Sequence, residues 1–96
     1  MLMYIRVVAF GFDDRRLDDA LAKMDATIRD ELRSIAGLES IHQCWIGEGL
    51  AMIVATYDNE ASAVAARPKV QEIFGKMAEY MTSPPEFKEG DVIWTM

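Results

Sequence analysis

Eight residues near the start of the chain, Met3 to Phe10, are apolar or aromatic except for Arg6, and no other stretch constrains the fold as tightly. The run is far shorter than the roughly 18 residues that cross a bilayer, and it does not alternate polar with apolar positions. It therefore reads as a strand covered on both faces, closed by Gly11. Arg6 interrupts it, no basic leader precedes it, and no small-x-small cleavage site comes before Asp13, so it is expected to belong to the mature fold.

Asp13 and Asp14 supply helix-capping chemistry, and Leu17, Leu21, Met24, Ile28, Leu32 and Ile35 follow at spacings of three and four, predicting an amphipathic helix ended by Gly37. Asp18, Asp19, Lys23, Asp25, Arg29, Asp30 and Arg33 fall on its other face as a solvated mixed-charge surface. Strands are predicted from Leu38 to Ile46 and from Leu50 to Tyr57, joined by a turn at Gly47-Glu48-Gly49. A three-residue loop sets Ile46 against Leu50, Trp45 against Ala51 and His42 against Val54. Asp58-Asn59-Glu60 opens a second helix that is expected to break or kink near Arg67 and to restart with Pro68 in its first turn. That second piece carries Val70, Ile73, Phe74, Met77 and Met81 and ends at Ser83-Pro84-Pro85. A short strand is then expected from Asp91 to Met96.

The resulting βαββαβ order predicts an α+β, ferredoxin-like domain over residues 1–96, with a four-stranded antiparallel sheet in spatial order 4-1-3-2 and both helices on one face. The other face stays open. At 96 residues the chain is small, yet it is 51% hydrophobic with seven methionines. A second copy covering the open face, in a homodimer, is the simplest way to hide that surplus.

Sixteen acidic against ten basic residues give a net charge of -6, which disfavours nucleic acid as a partner because phosphate binding draws on cationic side chains. No membrane partner is expected. The single cysteine, Cys44, forms no internal disulfide and fits a reducing cytoplasm; it lies on a strand with no base at motif spacing. Among residues able to do chemistry, His42 is the one histidine, a residue type suited to proton transfer or metal ligation. It is read either as a catalytic group in a pocket or as a structural residue of the hairpin or dimer interface. No Cys or His lies at ligand spacing from it, so no metal site is predicted. Arg6 on a buried strand needs carboxylate, carbonyl or ligand partners, as the anchor of an anionic or carbonyl-bearing ligand or as an ion pair across the dimer. Trp45 and Trp94 offer flat surfaces for an aromatic ligand or for the core. Strand parity puts His42 and Trp45 on opposite faces, and puts Tyr4, Arg6, Val8 and Phe10 together on one. If that face meets the helices, Tyr4, Arg6 and one of the two second-strand residues line a cavity closed by Met24, Ile28, Phe74 and Met77.

The chain resembles the dimeric α+β barrel superfamily, and within it the antibiotic-biosynthesis-monooxygenase-like domains. The resemblance spans nearly the whole chain and rests on the strand-helix order, on Ala36-Gly37-Leu38, on Tyr57-Asp58-Asn59-Glu60-Ala61, on Ala66-Arg67-Pro68-Lys69-Val70 and on Pro84-Pro85-Glu86. Similar members include cofactor-independent oxygenases of aromatic polyketides, haem-degrading enzymes, small isomerases and proteins with no known reaction. Several carry a histidine where this chain has Arg67. The resemblance implies a homodimer with a pocket for a small apolar or aromatic ligand. The activity it suggests is cofactor-independent monooxygenation of an aromatic or polyketide-like substrate, and the alternative is a ligand-binding or interaction protein without catalysis.

Overall fold

Strand β1 (Tyr4–Gly11) occupies the centre of the sheet, as its apolar run predicts. The computed structural model describes residues 2–96. Strand β2 (Leu38–Gly47) lies at one edge, β3 (Leu50–Tyr57) beside it, and β4 (Glu86–Asp91) at the other edge. The order β2-β3-β1-β4, antiparallel throughout, is the expected arrangement read from its other end. Side chains along β1 alternate as a strand requires: Tyr4, Arg6, Val8 and Phe10 are buried, while Ile5, Val7 and Ala9 are half-buried on the open face.

Helix α1 covers residues 17–33. It begins after a 3-10 turn capped by Asp13, whose side chain accepts from the Arg15 N–H, and it widens into a π turn over Met24–Ile28. The wider turn offsets the angular drift of residues spaced by four, so Met24, Ile28 and Leu32 stay aimed at one place. Helix α2 (Glu60–Met77) starts where the Asn59 side chain accepts from the Ser62 N–H at 2.9 Å. It does not break at Arg67. Pro68 lacks an N–H and so removes one backbone bond, but Ala63 and Ala66 before it and Ile73 and Met77 after it are buried, and their packing carries the helix through. Both helices lie on the Arg6 side of the sheet, where Val8 and Phe10 pack with Ile28, Ile73 and Met77.

Two further expectations change. Trp45 does pair with Ala51 and His42 with Val54, but Gly47 takes the place opposite Leu50 that had been expected for Ile46. The turn is the two residues Glu48-Gly49, with φ of 54° and 78°, the left-handed pair that matches the twist of a hairpin. An irregularity between Trp45 and Gly47 absorbs the extra residue and preserves the register beyond it. The last strand is Glu86–Asp91 and not Asp91–Met96. Pairing on β1 sets Glu89 opposite Arg6 and Phe87 opposite Val8, and the gain from neutralising a buried guanidinium outweighs the higher β-propensity of the terminal residues. Beyond the strand, Val92 donates to the Met3 carbonyl at 2.8 Å, and Ile93, Trp94 and Met96 are exposed.

Candidate functional site

Between the sheet and the two helices lies a cavity of about 70 Å³. Val8, Phe10, Ile28, Phe74 and Met77 give it apolar walls, with the π turn of α1 supplying Met24 and Ile28. One end is polar, because Arg6 on β1 and Tyr57 at the end of β3 both line it.

Arg6 is 2% exposed and its partners account for that burial. Its Nε donates to Glu89 Oε2 at 2.8 Å, Nη2 to the Ala63 carbonyl at 2.8 Å, and Nη1 to the Tyr57 hydroxyl at 3.2 Å. Three of the five N–H donors that a guanidinium carries are thereby committed. Glu89 also accepts from Arg67 Nη2 at 2.6 Å and from the Tyr4 hydroxyl at 3.3 Å. Burial pushes the Glu89 carboxyl up, but the hydrogen bonds from Arg6 and Arg67 outweigh it and hold the group below the ordinary carboxylate range. Burial pushes the Tyr57 phenol up, with the Arg6 charge acting in the opposite direction, so Tyr57 stays protonated at neutral pH. Its oxygen accepts from Arg6, and among the described residues nothing accepts its proton. The site therefore presents a neutral O–H donor beside a guanidinium in apolar surroundings, an arrangement suited to a carbonyl or phenolate oxygen.

Of the residues singled out from sequence, Arg6, Met24, Phe74 and Met77 meet at this cavity. Tyr4 shares their face but sits outside the lining, with its hydroxyl on Glu89. Trp45 is on the same side of the sheet at its rim, half exposed, with Nε1 donating to Asp14 Oδ1 at 2.9 Å; Asp14 Oδ2 accepts from the Gly49 N–H and ties the hairpin turn to the start of α1. Trp94 stands in solvent beyond β4. His42 pairs with Val54 on the opposite, open face, exposed, with Cys44 on the same side. The sheet thus separates His42 from Arg6, and the two do not converge on one substrate within a chain. Sequence reasoning missed Tyr57 and Glu89. Tyr57 was readable only from the β1/β3 register, which brings Tyr4 and Tyr57 opposite each other, and Glu89 lies in a segment whose charges conceal a strand. Among the described residues no group of three His, Cys, Asp or Glu side chains is placed to hold a metal ion, and no helix is long and apolar enough to cross a membrane.

Solved structures share this architecture along nearly their whole length. A monooxygenase of Streptomyces coelicolor, in complex with nanaomycin D, superposes with a TM-score of 0.78 over 99% of this chain and 91% of its own, at 15% identity. The chain has the fold of the antibiotic-biosynthesis-monooxygenase-like proteins. A protein of unknown function from Nitrosomonas europaea shares that fold at a TM-score of 0.75 and 15% identity, over 100% of this chain and 94% of its own. So does a dimeric ferredoxin-like protein from an uncultured marine organism, at 0.72 and 14%, over 100% of this chain and 92% of its own. No family model and no curated protein sequence matches the chain. At these identities the likeness is one of fold.

Proposed function

We propose that this protein is a cofactor-independent monooxygenase that takes a small hydroxylated aromatic molecule into the cavity between sheet and helices. The observation that carries this reading is the Arg6–Tyr57 pair at one end of a space whose other lining side chains are apolar apart from Gln43 and Tyr80. A ring packs against Phe74, Ile28 and Met77 while its oxygen accepts from Tyr57, and the nearby guanidinium favours the phenolate over the phenol. An electron-rich phenolate reacts with dioxygen directly. With 1-naphthol as the probe, one oxygen atom enters the ring carbon para to the hydroxyl and the other leaves as water, giving 1,4-naphthoquinone. The ligand-bound monooxygenase of the same fold supports the choice of chemistry. A homodimer belongs to the same reading: Val7, Met52 and Val54 are half-buried on the open face, a second copy there completes their burial, and His42 becomes an interface residue.

A second reading, binding without turnover, is favoured by one observation: no carboxylate or imidazole lines the cavity among the described residues, so no side chain there is an evident base. Oxygen uptake separates the two. We expect 1-naphthol to be oxidised faster than its autoxidation, with quinone and oxygen consumption in equal amounts, and Tyr57→Phe to lower kcat/KM by about tenfold, the value of one hydrogen bond to a charged oxygen. Calorimetric binding of 1-naphthol with no oxygen uptake selects the second reading. The absence of both overturns the pocket assignment.

A further inference from the structure

A second space adjoins the polar end of the cavity. It is a cleft of about 360 Å³ between β4 and α2, lined by Arg6, Arg67, Val70, Gln71, Phe87 and Glu89. Arg6 and Val70 line both spaces, and Arg6 is tied through Glu89 to Arg67 at the outer one. Apolar surface also runs from one to the other: the Phe87 ring in the cleft meets the Phe74 ring of the cavity edge to face, with centroids 5.6 Å apart.

The charges in the cleft are unevenly matched. Arg6 and Arg67 share a single carboxylate, Glu89, which also accepts from Tyr4. Glu60, the other carboxylate that acts on Arg67, is exposed and makes no ion pair with it among the described residues. Arg67 donates only through Nη2 and is 55% exposed, so most of its N–H groups remain open beside the Gln71 side chain one helical turn on. In a chain of net charge -6, a cleft with two guanidinia to one carboxylate is a local exception.

Resting on the reading of the inner cavity as a ligand pocket, we infer that the preferred ligand is an aromatic carboxylic acid. Its ring occupies the inner cavity, its hydroxyl or carbonyl oxygen meets Tyr57, and its carboxylate enters the outer cleft to pair with Arg67. Arg6 stands between the two subsites, donating to Tyr57 through Nη1 and to Glu89 through Nε, and a probe with its two groups on neighbouring ring positions can present one to each side. The ligand carboxylate gives each arginine its own anion, with Glu89 left to Arg6.

Calorimetry at pH 7 with 3-hydroxy-2-naphthoic acid, its methyl ester and 1-naphthol tests this. The acid is expected to bind about tenfold tighter than the ester, a preference that shrinks with added salt. Arg67→Met is expected to abolish that preference while leaving ester and naphthol affinities unchanged, with circular dichroism confirming the fold. Equal binding of acid and ester by the wild type, or equal loss of both in Arg67→Met, overturns the carboxylate subsite while leaving the cavity reading intact. If none of the three compounds binds, the cavity reading fails and the subsite fails with it.

Discussion

Glu89→Leu is expected to destabilise the protein by about 3–5 kcal/mol, because it strands the Arg6 charge in a site that is 2% exposed. The Ala63 carbonyl and Tyr57 hydroxyl still accept from the guanidinium, but neither neutralises it. Adding Arg6→Met should recover most of the loss, since an apolar pair of similar volume needs no desolvated charge. Chemical denaturation of the two single variants and the double variant measures this directly. If Glu89→Leu alone costs under about 1 kcal/mol, Arg6 is not held by this pair.

The same residue shapes the response to acid. The folded-state affinity of Glu89 for protons is lowered, so its contribution is present above the ordinary carboxylate value near 4.5 and is lost as pH falls through the lower folded value. Wild-type stability should therefore decline below about pH 4.5, and the Glu89→Leu variant should decline less steeply there. Glu31, whose carboxyl is held low by hydrogen bonds from Lys76 and then Lys69, adds a slope of the same sign that persists in the variant.

Ile28→Ala is expected to cost about 2–5 kcal/mol, since Ile28 is wholly buried and closes the cavity from the π turn of α1. The substitution also widens a space of about 70 Å³ that is narrow for a two-ring ligand. A saturating aromatic ligand should consequently raise the Tm of Ile28→Ala by more than that of the wild type, because the ring refills the vacated volume. A loss below about 1 kcal/mol would place Ile28 outside the supporting core.

Much of this architecture was legible from residue pattern. Central placement of β1 followed from the strand-helix order and fits a run apolar on both faces, and its parity put Tyr4, Arg6, Val8 and Phe10 together on one face, the one that lies under the helices. Helical spacing brought Met24, Ile28, Phe74 and Met77 to the same cavity. What escaped depended on long-range partners. Glu86–Asp91 reads as a charged loop until Arg6 is seen opposite Glu89, whereas the apolar residues after Asp91 look like a strand yet make, among the described residues, one backbone hydrogen bond, from Val92 to Met3. Pro68 reads as a break or kink until the buried alanines and Ile73 on either side are seen to carry α2 through it without interruption. The pairing of Arg6 with Tyr57 requires the β1/β3 register, which no local signal supplies. His42 drew notice as the one histidine, but chemical type does not tell which side of a sheet a residue faces relative to a cavity.

A crystal structure with 1-naphthol bound tests the central claim most directly. The account predicts the ring between Phe74 and Ile28, with its oxygen within hydrogen-bonding distance of the Tyr57 hydroxyl. A naphthol seated instead on the open face beside His42, with the cavity empty, would contradict it.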